Sequence, residues 1–228
     1  MMIKKLLVLS IALGFSATTT IANAKGNVSM GESQSASCTG CHGSDGNSTA
    51  PTFPKLAGQH AGYIAQQLQA FKNDKRNAPM MAPYALALDN NAIENISAYY
   101  ATQNISSNQR PVLPVEYDKY DDEIEKTDEE KTAELNALIT LGSDLYRNGN
   151  LKTKVSACIA CHGPHGEGNK PASFPALQGQ HADYLIKALS DFKQGKRSNV
   201  ADNMMHMIAK KMSDEEIKAL SYHISVMK

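Results

Sequence analysis

The sequence predicts an all-α chain of two tandem domains, and three observations predict it. The pentad Cys38-Thr39-Gly40-Cys41-His42 returns as Cys158-Ile159-Ala160-Cys161-His162, and the two together use all four cysteines. The sequence beyond each pentad also returns. Phe53-Pro54-Lys55-Leu56-Ala57-Gly58-Gln59-His60 matches Phe174-Pro175-Ala176-Leu177-Gln178-Gly179-Gln180-His181, and in register Tyr63 pairs with Tyr184, Phe71 with Phe192, Arg76 with Arg197 and Met80-Met81 with Met204-Met205. Between these motifs the apolar residues recur at helical spacing, and no stretch alternates like a half-buried strand.

Taken in order, residues 1–24 read as an export signal. Lys4 and Lys5 form its charged start, Leu6 to Ala17 its apolar run, and Ala22-Asn23-Ala24 a small-residue cleavage site. The apolar run is short for a spanning helix, and no later stretch is long and apolar enough to cross a bilayer. The first domain, 25–103, opens with a short helical segment near Ser29 to Ser37 that leads into the pentad. A Gly- and Pro-rich loop follows from Gly43 to Gly58. Ile64, Leu68 and Phe71 then mark a middle helix, and Ile93, Ile96 and Tyr100 a closing helix with Asp89 as its N-cap. Residues 104–131 shift in composition, from Arg110-Pro111 and Pro114 to a run with Glu116, Asp118, Asp121, Asp122, Glu123, Glu125, Asp128, Glu129 and Glu130. This reads as a solvated linker, with an acidic docking face for a basic partner as the sharper alternative. The second domain, 132–228, has a longer first helix from Thr132 to Arg147, a loop from Gly163 to Gly179, a middle helix with Leu185, Leu189 and Phe192, and a closing helix with Ile217, Leu220 and Ile224, opened by a Ser213/Glu216 capping box.

Two thiols three positions apart and an adjacent histidine form the pattern for covalent haem attachment. On one helical turn residues i and i+3 share a face, so both sulfurs reach the two vinyl groups of one porphyrin while the next residue's imidazole serves as proximal ligand. Cys38, Cys41, Cys158 and Cys161 are thus the attachment residues, and His42 and His162 the proximal ligands, of two haem c groups. A single four-sulfur zinc site would not need the histidines and would have to join pairs more than a hundred residues apart. A thioredoxin-like pair would sit near a β-α-β pattern, and plain disulfides leave both histidines unexplained.

The second axial ligand decides the chemistry. A methionine thioether raises the iron's potential and suits an electron carrier, whereas an open position suits oxygen or peroxide chemistry. The residues alone offer Met80-Met81 in one repeat and Met204-Met205 with Met207 in the other. His60, His181 and His206 would give bis-histidine sites, but His60 and His181 open the middle helices, where they cap or lie on the surface. Arg76 and Arg197 are candidates to pair with haem propionates, and Tyr63 and Tyr184 are packing residues. The 23 basic residues become 21 against 23 acidic ones once Lys4 and Lys5 leave, a formal charge of −2. No basic stripe marks a nucleic-acid partner.

These pentads, the two Phe-Pro-x-Leu-x-Gly-Gln segments and the Met-Met doublets ahead of a helix ending in Tyr99-Tyr100 or its equivalent resemble the dihaem cytochromes c4, built from two class I cytochrome c domains. The resemblance covers the mature chain except the acidic linker, which is longer and more acidic than is usual there. His223 also departs, standing where the first copy has Tyr99. The resemblance implies Met81 and Met205 as distal ligands, with Met80 and Met204 as runners-up, and Pro54 and Pro175 beside the proximal histidines with a backbone carbonyl accepting the ring N–H. The export signal and the haem motif agree on a Gram-negative periplasm, because c-type haem is attached outside the cytoplasm in bacteria; the resemblance implies an electron-transfer protein rather than an enzyme, carrying single electrons towards a terminal oxidase from a quinol-oxidising complex or another periplasmic cytochrome, and leaves peripheral membrane association open. The haem subunit of a flavocytochrome c sulfide dehydrogenase is also a duplicated dihaem chain and is the alternative; a dihaem peroxidase would need one iron open.

Overall fold

The computed structural model of the protein describes residues 26–115, 117, 119–120, 122, 124–198 and 203–228, and the export segment proposed for 1–24 lies outside them. The first repeat holds α1 (Val28–Gln34), a 3-10 turn (Ala36–Cys38) running into α2 (Thr39–His42), α3 (Ala61–Lys72), α4 (Ala82–Leu86) and α5 (Asn90–Ala101). The second holds α6 (Asp128–Asn148), α7 (Ile159–His162), α8 (Ala182–Lys193), α9 (Met204–Ala209) and α10 (Asp214–Ser225). The described residues include two single strand-like bridges, Asn150↔Val155 and Asn169↔Phe174. None of the described helices is long and apolar enough to cross a membrane.

The predicted start signals operate. Asp89 accepts from Ala92 N at 2.7 Å, and Ser213 and Glu216 close a reciprocal capping box on α10. A second box, Thr127 with Glu130, starts α6 at Asp128, four residues before the expected Thr132. Asp128, Glu129 and Glu130 of the acidic run therefore form its first turn, where their charge complements the helix dipole. Two short helices go beyond the expected elements: α4, which follows Met80-Met81, and α9, which opens on Met204-Met205.

Each repeat is closed by a crossing of its first and last helices at a glycine. A Cβ on Gly31 would lie 2.0 Å from Asn95 O, and one on Gly142 2.0 Å from Ala219 O. That approach seats α5 and α10 over the cores, where Ile64, Leu68, Ile93, Ile96 and Tyr100 form one cluster and Leu145, Tyr146, Leu185, Phe192, Ile217 and Leu220 the other. Burying each such aliphatic side chain contributes about 1.5–3 kcal/mol. With Gly31 laid on Gly142 and Asn95 on Ala219, Tyr146 falls on Ser35 and Tyr100 on Ile224. Both tyrosines are fully buried and both lie beside the first cysteine of their pentad, so one aromatic position is filled from the last helix in one repeat and from the first helix in the other.

The repeats dock reciprocally. The Gln59 amide bonds the backbone N–H and C=O of Ala176, each at 2.9 Å, and the Gln180 amide bonds those of Lys55 at 2.8 and 2.9 Å. Arg197 donates to the Tyr63 hydroxyl at 2.7 Å and Arg76 to that of Tyr184 at 3.2 Å. Those arginines and tyrosines are thus polar contacts across the interface rather than exposed or simply packed groups.

The start of the linker is not free in solvent. Asn108 Nδ2 donates to the carbonyls of Gly179, Gln180 and Ser225, Ser106 N donates to Asn47 Oδ1, and Leu113 packs beside Leu138 and Tyr222. Further along, Ile124 and Glu125 are exposed, and Lys126 pairs with Glu134 of α6 at 2.7 Å.

Candidate haem sites

Each pentad winds into one helical turn that places its two cysteines, both half-buried and free of disulfides, ahead of a buried histidine. His42 Nδ1 lies 2.9 Å from Pro54 O, and His162 Nδ1 lies 2.9 Å from Pro175 O. A carbonyl only accepts, so Nδ1 carries the proton in both rings and Nε2 keeps a lone pair, the tautomer a metal ligand needs. Burial pushes both imidazoles below their ordinary pKa, against the opposing pull of the proline carbonyls, and so favours the neutral rings. Phe53 and Phe174 stand against the two rings, 6.3 and 6.5 Å between centroids. Burial raises the Cys38 thiol, and that of Cys158 to about 11.

The methionines divide by environment. Met81 packs against the first core together with Cys38, and Met205 against the second together with Cys158. Their neighbours face solvent, with Met80 62%, Met204 38% and Met207 48% exposed. In each repeat, then, a half-buried thioether and the first cysteine of the pentad border one apolar cluster. That donor set, a neutral imidazole with a free Nε2, two thiols on one turn and a soft thioether, fits haem c.

The other histidines are not surface caps. His60 and His181 stand at the N-cap positions of α3 and α8 without a capping bond. His60 is buried beside Glu167 and Lys170 of the other repeat. His181 Nε2 bonds Ser48 O at 2.9 Å, which commits that nitrogen to the interface. His206 Nδ1 is held by Phe192 O at 2.7 Å. Among the described residues no three His, Cys, Asp or Glu side chains gather as a metal cluster, so the cysteine pairs do not meet in one four-sulfur site. Sequence reasoning gave no role to Gln59 and Gln180; their only signal was an identical Gly-Gln-His ending to both repeat motifs.

Fold and site together define the class as a tandem-domain cytochrome c, and the Cytochrome c family model matches residues 28–110 and 139–228. Cytochrome c4 of Azotobacter vinelandii is 37% identical over 97% of both chains, and that of Pseudomonas aeruginosa likewise. The crystal structure of reduced recombinant cytochrome c4 from Pseudomonas stutzeri superposes with a TM-score of 0.75 at 36% identity, covering 89% of this chain and all of that one. The chain belongs to the cytochrome c4 family. Membership makes it an electron-transfer cytochrome of two all-α domains and implies covalent haem c. A thiosulfate dehydrogenase electron acceptor from Stutzerimonas stutzeri is also similar, 33% identical over 82% of this chain and 77% of its own length.

Proposed function

We propose that the protein is a periplasmic carrier of single electrons with two haem c groups, one in domain 25–103 and one in domain 132–228, joined by residues 104–131 and exported by residues 1–24. Cys38 and Cys41, and Cys158 and Cys161, form the thioethers; His42 and Met81 fill the axial positions of one iron, His162 and Met205 those of the other. One observation carries this reading: twice, a buried imidazole gives its Nδ1 proton to a proline carbonyl while a half-buried methionine and the first pentad cysteine share one core.

Bound haem supplies a one-electron iron couple. The chain's own groups set its conditions. The proline carbonyls orient the imidazoles and increase their basicity, the thioethers favour the reduced metal relative to a second histidine, and the apolar clusters exclude water. With His42 and Met81 holding one iron and His162 and Met205 the other, the chain would leave no position on the metal for a substrate, which would separate a carrier from a peroxidase. The proposed donor is a quinol-oxidising complex or another periplasmic cytochrome and the acceptor a terminal oxidase. The similarity to a thiosulfate dehydrogenase electron acceptor supports a second reading, in which the donor is a sulfur-oxidising enzyme.

The test is the exported protein itself. Mass spectrometry should find two added macrocycles, and the weak long-wavelength methionine-to-iron band of the oxidised form should fall by about half in Met81→Ala and in Met205→Ala while Met80→Ala and Met204→Ala keep it. A bare polypeptide, or a band indifferent to Met81 and Met205, would overturn the assignment.

A further inference from the structure

Gln59 and Gln180 do more than join the repeats. The carbonyl that accepts the His42 ring N–H belongs to Pro54, and the N–H of that same peptide group belongs to Lys55, which donates to Gln180 Oε1 of the other repeat at 2.8 Å. The second site repeats the relay. His162 bonds the Pro175 carbonyl, and the Ala176 N–H of that peptide donates to Gln59 Oε1 at 2.9 Å. Each amide is pinned at its other end as well. Gln180 Nε2 donates to Lys55 O and Gln59 Nε2 to Ala176 O, both at 2.9 Å, while the oxygens also accept from His181 N and His60 N of their own repeats. Both glutamines are buried, 8% and 6% exposed, where hydrogen bonds in series polarise one another. The residues clamped are unlike, a lysine and an alanine, so the shared element is the peptide and not the side chain it carries.

We propose that Gln180 and Gln59 are positioning residues that act crosswise, each polarising the peptide that holds the proximal histidine of the opposite domain. The inference rests on the reading of His42 and His162 as proximal ligands. An N–H bonded to a glutamine oxygen leaves more negative charge on the carbonyl of its peptide. That carbonyl then draws the Nδ1 proton more strongly, and the imidazole becomes a better donor through Nε2 and favours the oxidised metal. Losing the glutamine weakens the relay, so the potential of the metal in the other domain rises while that of its own domain stays. Docking of the two halves thereby enters the potential of each.

The experiment is a spectroelectrochemical titration of the holoprotein carrying Gln180→Met or Gln59→Met. The two waves are assigned beforehand with Met81→His and Met205→His, each of which lowers its own wave. The expected result is crossed: Gln180→Met raises the wave assigned by Met81→His and leaves the other, and Gln59→Met does the reverse. Proton NMR of the His42 and His162 ring N–H should show the same crossed pattern as a shift to higher field. A shift confined to the variant's own domain, equal shifts of both waves, or none would overturn the proposal. Should a methionine variant fail to fold, Gln180→Asn and Gln59→Asn keep an amide one methylene short of its partners and are held to the same criterion. A wild-type protein without two haem waves would instead reject the ligand reading, so the two failures are distinct.

Discussion

Gly31→Ala adds one methyl group where the structure has no room for it. The new Cβ would lie 2.0 Å from Asn95 O, and ordinary contact begins at 3.4 Å, so α1 and α5 must part by 1.4 Å. A gap of about 0.5–1 Å already forfeits a quarter to a half of a contact's attraction, and α5 carries the fully buried Ile93, Ile96 and Tyr100. Overpacking of this kind costs about 1–3 kcal/mol, and a backbone obstacle puts this site at the upper end, about 3 kcal/mol. Alanine returns about 1 kcal/mol in helix propensity, leaving a net loss of about 2 kcal/mol. At about 4–8 °C per kcal/mol for a domain of this size, the first domain should melt roughly 8–16 °C lower. Hydrogen exchange read by mass spectrometry on peptides from each domain assigns the loss. Gly142→Ala should do the same to the second domain, for the same 2.0 Å clash with Ala219 O. Gly62→Ala is the control, since its Cβ meets only the Ser173 hydroxyl, at 3.1 Å; it should be neutral or stabilising. If Gly31→Ala proves as stable as the parent, the close crossing does not organise the domain and the reasoning fails.

Three further outcomes are expected. Thr127→Ala and Ser213→Ala, which break the boxes opening α6 and α10, should each cost about 1 kcal/mol in denaturant titrations. Asn108→Ala strips one donor from three carbonyls; it should cost about 1–3 kcal/mol and admit proteases near residue 108 faster than in the parent. Burial opposes ionisation of Tyr184, but Arg76 and Arg197 outweigh it and bring the phenol down to about 8. Its folded value lies below its unfolded one, so the unfolded chain binds more protons between about pH 8 and 10 and stability should rise across that window. The gain is the difference between the parent and Tyr184→Phe in denaturant midpoints at pH 7.5 and 9.5, and equal slopes in the two proteins would refute it.

The helices were legible because they are local. Ile64, Leu68 and Phe71 announce α3 by spacing alone, and Asp89 and the Ser213/Glu216 pair mark the starts of α5 and α10. The Thr127/Glu130 box is equally local, yet it sits inside an acidic run whose composition masks it. The pentads were legible for the same reason, since two cysteines and a histidine within five residues form a pattern that needs no tertiary contact to be seen. The choice between Met80 and Met81 was not. Both are methionines on a short segment, the family resemblance alone favours Met81, and only the fold distinguishes their surroundings, exposing Met80 and packing Met81 against the core that Cys38 also borders. Least legible was the interface. Gln59 meets Ala176, His181 meets Ser48 and Asn108 meets Ser225, each more than a hundred residues away in sequence, and nothing in glutamine, histidine or asparagine advertises a partner at that range. For Arg76 and Arg197 sequence offers a propionate or solvent, and the hydroxyls they reach, Tyr184 and Tyr63, are out of its sight because they belong to the opposite repeat.

The exchange of Tyr100 for Tyr146 bears on how the two halves have drifted since they were copies. Ser35 leaves room that Tyr100 occupies, and Ile224 leaves room that Tyr146 occupies, so the substitutions in each half are matched to one another and not to the other half. A hybrid built from the opening helix of the first half and the closing helix of the second would pair Ser35 with Ile224 and leave a hole; the converse hybrid would crowd two rings into one space. Exchanging a single helix between the halves therefore breaks a matched pair, and a change at any one of these four positions calls for a compensating change within its own half.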